Sequence, residues 1–239
     1  MMKHRKLFFY KSSIPPAGQA FPASYIYYNF STVTGGNVID SMAHVNAAEN
    51  GVPTYPDGRA IGNPCFQKLD GDGAYLDAAY RPFVNPAWSI SFWFYNYTSV
   101  GSTRRIISQS ENGGPNNGAY AYIQMLSGEI ALSIQSPIDG TNLAYVDCAG
   151  VGFELNTWRH ACFTYDGVDF KSYIDGILRN TVNAPGIYPA NLGSMQVGGL
   201  WYGGTLYNDH AFRLDDLRIW DVALTGVQVA AVYTNDGGV

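Results

Sequence analysis

The sequence predicts an all-β sandwich, on three grounds. Turn dipeptides recur between short apolar-alternating runs, charge is scarce while Tyr, Gly, Asn and Thr are plentiful, and only one stretch has convincing helical spacing. Of 239 residues, 46% are hydrophobic and 15% aromatic, enough to fill a sizeable core and to exclude a disordered, charge-rich chain. Charged residues make up only 14%, which suits exposed β-surface and polar loops better than helices stitched by Glu–Lys pairs. From about Tyr25 the runs follow one another at the intervals of a sandwich rather than of βαβ units.

Residues 1–22 read as an extended arm ahead of one domain over residues 23–239. Lys3, Arg5, Lys6 and Lys11 give the first eleven residues a charge of +4, leaving 10 basic against 19 acidic residues beyond them. Ile14-Pro15-Pro16-Ala17-Gly18 then favours extended chain, because proline neither continues a helix nor pairs in a central strand. Leu7-Phe8-Phe9-Tyr10 is broken by Lys11 and falls short of the roughly 7–15 apolar residues of a secretory signal, so no cleaved leader is expected. No apolar run approaches the roughly 20 residues of a membrane span, so no membrane partner is expected. The acidic balance of the main domain excludes duplex nucleic acid as its ligand. Cys65, Cys148 and Cys162 are odd in number and lack C-x-x-C spacing, which indicates buried thiols rather than a disulfide framework or zinc site.

The elements follow in order. Trp88–Tyr95 alternates so that Ile90, Phe92 and Phe94 share one face and Trp93 and Tyr95 the other, both of them apolar. Residues 105–108 form the next strand, and a loop rich in Gly and Asn leads to Tyr120–Leu126. Ser127-Gly128 turns that strand into residues 129–134. Asp166-Gly167 and Asp175-Gly176 join Trp158–Tyr165, residues 170–174 and residues 177–182 into a meander. Residues 224–233 form a closing helix, with Thr225 as its N-cap.

Several of these segments carry a family resemblance. Tyr27-Tyr28-Asn29-Phe30, Asp40 in a polar loop, Gly58-Arg59-Ala60-Ile61-Gly62, Phe66 and Leu69-Asp70-Gly71-Asp72-Gly73-Ala74-Tyr75-Leu76 resemble the opening of laminin-G-like domains of the concanavalin A-like superfamily. Ser89-Ile90-Ser91-Phe92-Trp93-Phe94 is similar to that family's first long core strand. Trp158-Arg159-His160 and the run to Gly167 are similar to its Trp-x-His strand and turn, and Tyr173-Ile174-Asp175-Gly176 to its next hairpin. Phe212-Arg213-Leu214-Asp215-Asp216-Leu217-Arg218-Ile219-Trp220 with Ala223-Leu224-Thr225 resembles its closing strand and last helix. The resemblance implies a two-sheet antiparallel jelly roll, the arrangement such alternation requires.

The resemblance also implies candidate sites. Many relatives bind calcium through an early loop and the closing strand; Asp40, Asn46, Asp215 and Asp216 supply hard oxygen ligands at the matching places. The alternative for Asp215 is that it caps backbone N–H groups at a bend in the strand. Some relatives hydrolyse glycosides with paired carboxylates. The four glutamates Glu49, Glu111, Glu129 and Glu154 form no E-x-D-x-x-E run, and no Gly-x-Ser-x-Gly elbow serves His4, His44, His160 or His210. The protein is therefore expected not to be an enzyme, and His160 is expected to be a satisfied core histidine.

Glycan recognition needs exposed rings that stack on sugar C–H faces, with amides and acids nearby for the hydroxyls. Trp88, Trp93, Trp158 and Trp220 fall on strands at core positions. Trp201, Tyr202, Tyr207, Asn208 and Asp209 instead share a long loop and form the best candidate patch, with Asn116 and Tyr120 as a second. A subunit-contacting loop is the alternative for both. The basic arm, the absence of an export signal and the Tyr/Asn/Gly-rich surface together resemble a bacteriophage virion protein. In that setting the arm, through Lys3, Arg5, Lys6 and Lys11, docks on other virion proteins, while the jelly roll faces outward on a homo-oligomer at the virion surface and meets host glycans. The alternatives are a bacterial carbohydrate-binding module or lectin, acting outside the cell, and, behind it, a glycoside hydrolase.

Overall fold

A computed structural model describes residues 21–97, 104–110, 120–126, 129–135, 142–148, 151, 154–187, 193–202, 205–207 and 211–236. The early strands are short: β1 (Ile26–Tyr28), β2 (Val33–Thr34), β3 (Asn37–Val38), β4 (Ala47–Asn50), β5 (Phe66–Lys68) and β6 (Tyr75–Ala78). Longer ones follow: β7 (Trp88–Tyr95), β8 (Arg104–Ser110), β9 (Tyr120–Leu126), β10 (Glu129–Gln135), β11 (Asn142–Asp147), β12 (Trp158–Tyr165), β13 (Asp169–Ile174) and β14 (Ile177–Asn183). The chain closes with β15 (Met195–Val197), β16 (Leu200–Tyr202), β17 (Thr205–Tyr207), β18 (Phe212–Trp220) and helix α1 (Gly226–Asn235).

These strands form the expected jelly-roll sandwich. The smaller sheet has seven strands in the order β1-β18-β7-β12-β13-β14, with β5 also on β18; the larger has nine, in the order β11-β10-β9-β8-β15-β6-β4-β3-β2. Pairing is antiparallel in both sheets, at β1–β18, β7–β12 and β7–β18 in the smaller and at β6–β15 and β8–β9 in the larger. The core lies between the sheets. Trp88, Ile90, Phe92 and Phe94 of β7 and Phe163 and Tyr165 of β12 meet Ile107, Ile123, Leu132 and Val197 of the larger sheet, each contributing about 1.5–3 kcal/mol by leaving water. Strand β7 is buried on both faces, as its sequence predicted, because the outer face of the smaller sheet is covered as well.

That covering is a second apolar layer of Phe21, Cys162, Tyr173, Trp220, Leu224, Val229 and Val232. A ten-residue helix is too short to hold itself in water, so α1 depends on Val229 and Val232 packing on the sheet. Thr225 caps it as predicted: its hydroxyl accepts from the Gln228 N–H, and the Gln228 side chain accepts from the Thr225 N–H in return. Ser89 fixes the approach, accepting from the Leu224 N–H at 2.8 Å and donating to the Val222 carbonyl at 2.8 Å. No helix among the described residues is long and apolar enough to cross a membrane.

The meander matches the expected one. Ile174 pairs with Ile177 across Asp175 and Gly176, whose φ values of +52° and +75° are those of a two-residue hairpin turn. Asp166 closes the preceding turn by accepting from the Val168 and Asp169 N–H groups. Leu126 pairs with Glu129, so Ser127 and Gly128, which lie outside the described residues, are the link between them. Phe21 and Pro22, expected to end the arm, lie against the domain instead: Phe21 is in the second layer and the Pro22 carbonyl accepts from Trp220 Nε1 at 3.0 Å.

Candidate functional site

The outer face of the larger sheet carries a continuous cross-strand row of polar and aromatic residues. Register places Asp77, Gln196, Ser108, Tyr122, Ser133 and Tyr145 side by side on β6, β15, β8, β9, β10 and β11. A bulge in β8 makes this possible. The register shift between Arg105 and Ile107 sends both Ile106 and Ile107 into the core, so that Arg105 and Ser108 both stay on the outer side. Arg105 then pairs in register with Gln124.

Around Arg105 the geometry is tight. Its guanidinium carbon lies 3.3 Å from the centroid of the Tyr122 ring, and Nη1 donates to Gln124 Oε1. Tyr122 and Gln124 are themselves buried, so they act as a seat that holds Arg105. Solvent reaches Tyr145, which is 36% exposed, and partly reaches Arg105, Glu129 and Asp147. Burial, then the neighbouring carboxylates of Asp147 and Glu129, push the Tyr145 hydroxyl pKa up. It is thus a neutral phenol in an acidic surrounding. Asp147 is held in turn, Oδ1 accepting from Asn180 Nδ2 at 2.7 Å. Strands lie about 4.8 Å apart, so Tyr122 and Tyr145, two strands from each other, span about 10 Å.

The segment around Trp201 borders this face, but not as a loop. Leu200, Trp201 and Tyr202 of β16 pair with Tyr207, Leu206 and Thr205 of β17, which corrects the expected long loop. Two aromatic- and leucine-bearing triplets flank Gly203-Gly204, the pattern of a hairpin. The hairpin lies against β8, anchored where Ser108 Oγ donates to the Gly199 carbonyl at 2.6 Å. The backbones of Trp201, Tyr202 and Tyr207 are thus in the hairpin, and only their backbones are described. Asn208, Asp209 and Asn116 lie outside the described residues altogether, as do Lys3, Arg5, Lys6 and Lys11. Tyr120 opens β9, in register with Ser110 and Gln135.

The four residues expected to share a calcium ion fall into two separate arrangements. Asp40 is buried, and its carboxylate accepts four backbone N–H groups: Tyr27 at 2.8 Å and Met42 at 3.0 Å on Oδ1, His44 at 2.9 Å and Val45 at 3.1 Å on Oδ2. Asn46 Oδ1 accepts from the Asp40 N–H at 3.1 Å. Together they knit the loop. Asp215 and Asp216 lie elsewhere, at the kink of β18. Asp215 Oδ1 accepts from the Asp216 N–H at 2.9 Å and Oδ2 from the Arg59 N–H at 3.3 Å, the capping role raised as the alternative. Asp216 accepts from the Tyr27 hydroxyl and pairs with Arg59. With Asp40 saturated by N–H donors and the other pair facing guanidinium, this donor set does not fit a calcium ion. Among the described residues no group of three or more His, Cys, Asp or Glu could hold a metal.

His160 departs from expectation in one respect. It is fully buried, but neither Nδ1 nor Nε2 has a hydrogen-bond partner; its ring rests against Trp93 and Tyr233 at centroid distances of 5.4 and 5.7 Å. Burial, then the charges of Arg59 and Arg218, hold its pKa down to about 3, so the ring is neutral. The three cysteines are free and buried, as predicted. Sequence reasoning missed Arg105, Tyr122, Gln124, Tyr145 and Asp147; the signal available was the outward phase of strands whose inward phase is Ile123, Ile134 and Val146.

Comparison with known proteins agrees with this architecture. A family model described as the concanavalin A-like lectin/glucanases superfamily matches residues 70–230. No relative among the curated proteins matches. Among solved structures, the binding domain of botulinum neurotoxin serotype G is similar with a TM-score of 0.66 at 18% identity, over 89% of this chain and 51% of that one. The binding domain of botulinum neurotoxin DC in complex with SialylT gives 0.64 at 13% identity, over 89% and 51%. Domain 4 of AbnA, a GH43 extracellular arabinanase from Geobacillus stearothermophilus, in complex with arabinotriose, gives 0.63 at 19% identity, over 87% of this chain and 97% of that one. The chain spans about half the length of the toxin binding domains. At these identities the likeness is one of fold.

Proposed function

Because the chain belongs to the concanavalin A-like lectin/glucanases superfamily through a laminin-G-like domain, we propose that it is a non-catalytic glycan-binding domain whose ligand lies on the outer face of the larger sheet. The observation that carries this reading is Arg105 seated on Tyr122 beside the accessible Tyr145 and the carboxylates of Glu129 and Asp147. An exposed phenol ring stacks on a sugar's C–H face, and carboxylates and a guanidinium exchange hydrogen bonds with its hydroxyls. The similar arabinanase domain, which holds arabinotriose, supports a short oligosaccharide as ligand, and the toxin domain in complex with SialylT supports binding rather than hydrolysis. The test is titration calorimetry of wild type and Tyr145→Ala against neutral oligosaccharides, arabinotriose among them. Binding that weakens about tenfold or more in the variant, at unchanged thermal stability, supports the reading. No binding by wild type, or equal binding by both, overturns it.

A second reading concerns where the domain is carried. Phe21 packs on the outer side of the smaller sheet, so the chain enters on the side away from the proposed ligand face. On this reading residues 1–20, with Lys3, Arg5, Lys6 and Lys11, carry the attachment. From the basic residues of this segment we infer a bacteriophage virion component, such as a decoration, spike or tail-associated protein, that assembles as a homo-oligomer and reads host surface glycans. Pull-down from source lysate with full-length and residue 1–20-deleted protein tests it. Capsid or tail proteins retained only by the full chain support the reading, and identical capture by both forms counts against it.

A further inference from the structure

On the outer side of the smaller sheet, the Arg59 guanidinium is enclosed by oxygens from separate parts of the chain. Nε lies 3.5 Å from Asp215 Oδ2, Nη2 donates to Asp216 Oδ2, and Nη1 donates to the backbone carbonyl of Asp236 at the end of α1. Each nitrogen of the fork thus meets an oxygen of a different residue. Trp93 closes the remaining side, its ring centroid 4.2 Å from the Arg59 guanidinium carbon. The Asp215 side chain is fully buried, and those of Asp216 and Arg59 are 6% and 15% exposed.

The backbone is shaped to make this enclosure. Consecutive residues of a strand point to opposite faces, yet Asp215 and Asp216 both turn toward Arg59. Asp216 has φ +48° and sits at the register shift between Asp215 and Arg218, so the kink brings the second carboxylate round beside the first. Gly58 lets the loop approach: a Cβ there would lie 2.6 Å from Asp215 Oδ2. Next to this group, Arg218 Nη2 donates to Asp236 Oδ1 at 2.6 Å and its guanidinium carbon lies 4.2 Å from the Tyr27 ring centroid. Two carboxylates and a carbonyl converging on one positive centre are the oxygen donors that a hard divalent cation takes; here the centre is a side chain.

We propose that Arg59 is a built-in cation that makes this fold independent of calcium, and that removing it uncovers a divalent-cation site formed by Asp215 Oδ2, Asp216 Oδ2 and the Asp236 carbonyl. The guanidinium ties the loop of Arg59, the kink of β18 and the end of α1 together, as an ion shared among them would. Its planar fork donates to the Asp236 carbonyl and the Asp216 carboxylate while Nε stays 3.5 Å from Asp215 Oδ2, a spread of contacts that a single ammonium cannot make. Without it the two aspartates are left as neighbouring buried carboxylates with only Arg218, itself paired with Asp236, as a nearby positive charge, an arrangement relieved by a small ion of charge +2.

The experiment is thermal unfolding of wild type, Arg59→Ala and Arg59→Lys in EDTA and in millimolar calcium chloride. Wild type is expected to melt at the same temperature in both, within about 1 °C. Arg59→Ala in EDTA is expected to melt on the order of 10 °C lower, with calcium recovering most of the loss. Arg59→Lys, which keeps the charge, is expected to lie between the two and to ignore calcium. A wild type or an Arg59→Lys whose melting responds to calcium or EDTA overturns the proposal, as does a folded Arg59→Ala indifferent to calcium. Where Arg59→Ala fails to fold in EDTA, refolding it in calcium decides the matter: recovery of the native near-ultraviolet circular dichroism supports the site, and failure to recover counts against it.

Discussion

The Arg105 guanidinium lies 3.3 Å from the centroid of the Tyr122 ring, on a face of the sandwich that the core does not need. Cations within about 6 Å of a ring face are held by its quadrupole, and a flat guanidinium also stacks where an ammonium does not. Gln124 takes one of its N–H groups and so fixes the orientation of the fork. Arg105→Lys is therefore expected to lower glycan affinity about three- to tenfold while changing stability by less than about 1 kcal/mol. Calorimetry with parallel thermal melts checks this, and a lysine variant that binds as wild type removes Arg105 from the site.

Asp40 is a fold residue, and its substitution should behave as one. Both of its oxygens accept backbone N–H groups, four in all. Asp40→Asn turns one oxygen into an N–H₂ group that meets two of those donors head-on, at a cost of roughly 2–4 kcal/mol for the lost charge-assisted bonds. Urea unfolding is expected to show that loss equally in calcium and in EDTA. A loss that calcium alone reveals would mean Asp40 is a ligand after all.

The pH dependence follows from three buried groups. Burial, reinforced by Asp216, pushes the Asp215 carboxyl up to about 7, and burial, opposed by Arg218 and reinforced by Asp216, does the same to Asp236. Their ordinary value is 3.8, so the folded state keeps these protons longer than the unfolded chain. Their contribution is greatest below about 4 and is lost as pH rises through about 7. His160 works in the opposite sense: its pKa falls from 6.5 to about 3, so its contribution is lost as pH drops through that window. Above 6.5 only the acids still matter. The melting temperature is thus expected to fall between pH 6.5 and 8, and to fall less steeply in Asp236→Asn. A slope unchanged by that substitution would show that Asp236 is not titrating there.

What the sequence makes legible tracks how local each signal is. Strands β7 and β12 to β14 are plain because alternation at Ile90, Phe92 and Phe94 and the pair Asp175-Gly176 are short-range, and Thr225 announces the helix start in the same way. Strand β11 is not legible: Asn142-Leu143-Ala144-Tyr145-Val146-Asp147 mixes both faces, and a polar outer phase looks like a loop when its neighbours are unknown. The ligand face escapes sequence reasoning for a related reason, since the bulge at Ile106 that keeps Arg105 outward is invisible without its partner strand. Asp215 and Asp216 are picked out in the sequence as acids for a calcium ion, but the partner that decides their chemistry, Arg59, lies 156 residues away from Asp215. Only the folded chain shows that the opposing charge is covalent.

Thr225 tests whether α1 is held by its cap or by its buried face. The reciprocal bonds of Thr225 and Gln228 satisfy orphan N–H groups at the first turn, whereas Val229 and Val232 supply the packing. Thr225→Ala is expected to cost about 1 kcal/mol, and Val232→Ala about 2–3 kcal/mol through the cavity it leaves. Chemical denaturation of both orders the two effects, and a cap variant costlier than the valine variant would mean that the helix start, not the packed face, holds the second layer.

Gly58 separates steric closeness from backbone strain. A Cβ at Gly58 would press on Asp215 Oδ2 at 2.6 Å, on Cys65 at 3.0 Å and on the Asn63 carbonyl at 3.1 Å. Gly62, four residues on, has φ +81° and open space around it. Alanine at Gly62 meets only the left-handed conformational cost, about 1–2 kcal/mol. Alanine at Gly58 must displace a buried carboxylate that is itself bonded to Arg59 and the Asp216 N–H, so overpacking of about 1–3 kcal/mol comes with partial loss of the charge contact. Gly58→Ala is therefore expected to lower the melting temperature more than Gly62→Ala, and to lower it less once Asp215 is also changed to alanine, because the clash then has no partner. A Gly58→Ala penalty that persists in full in the double variant would place the strain at Cys65 or Asn63 instead of at the acid pair.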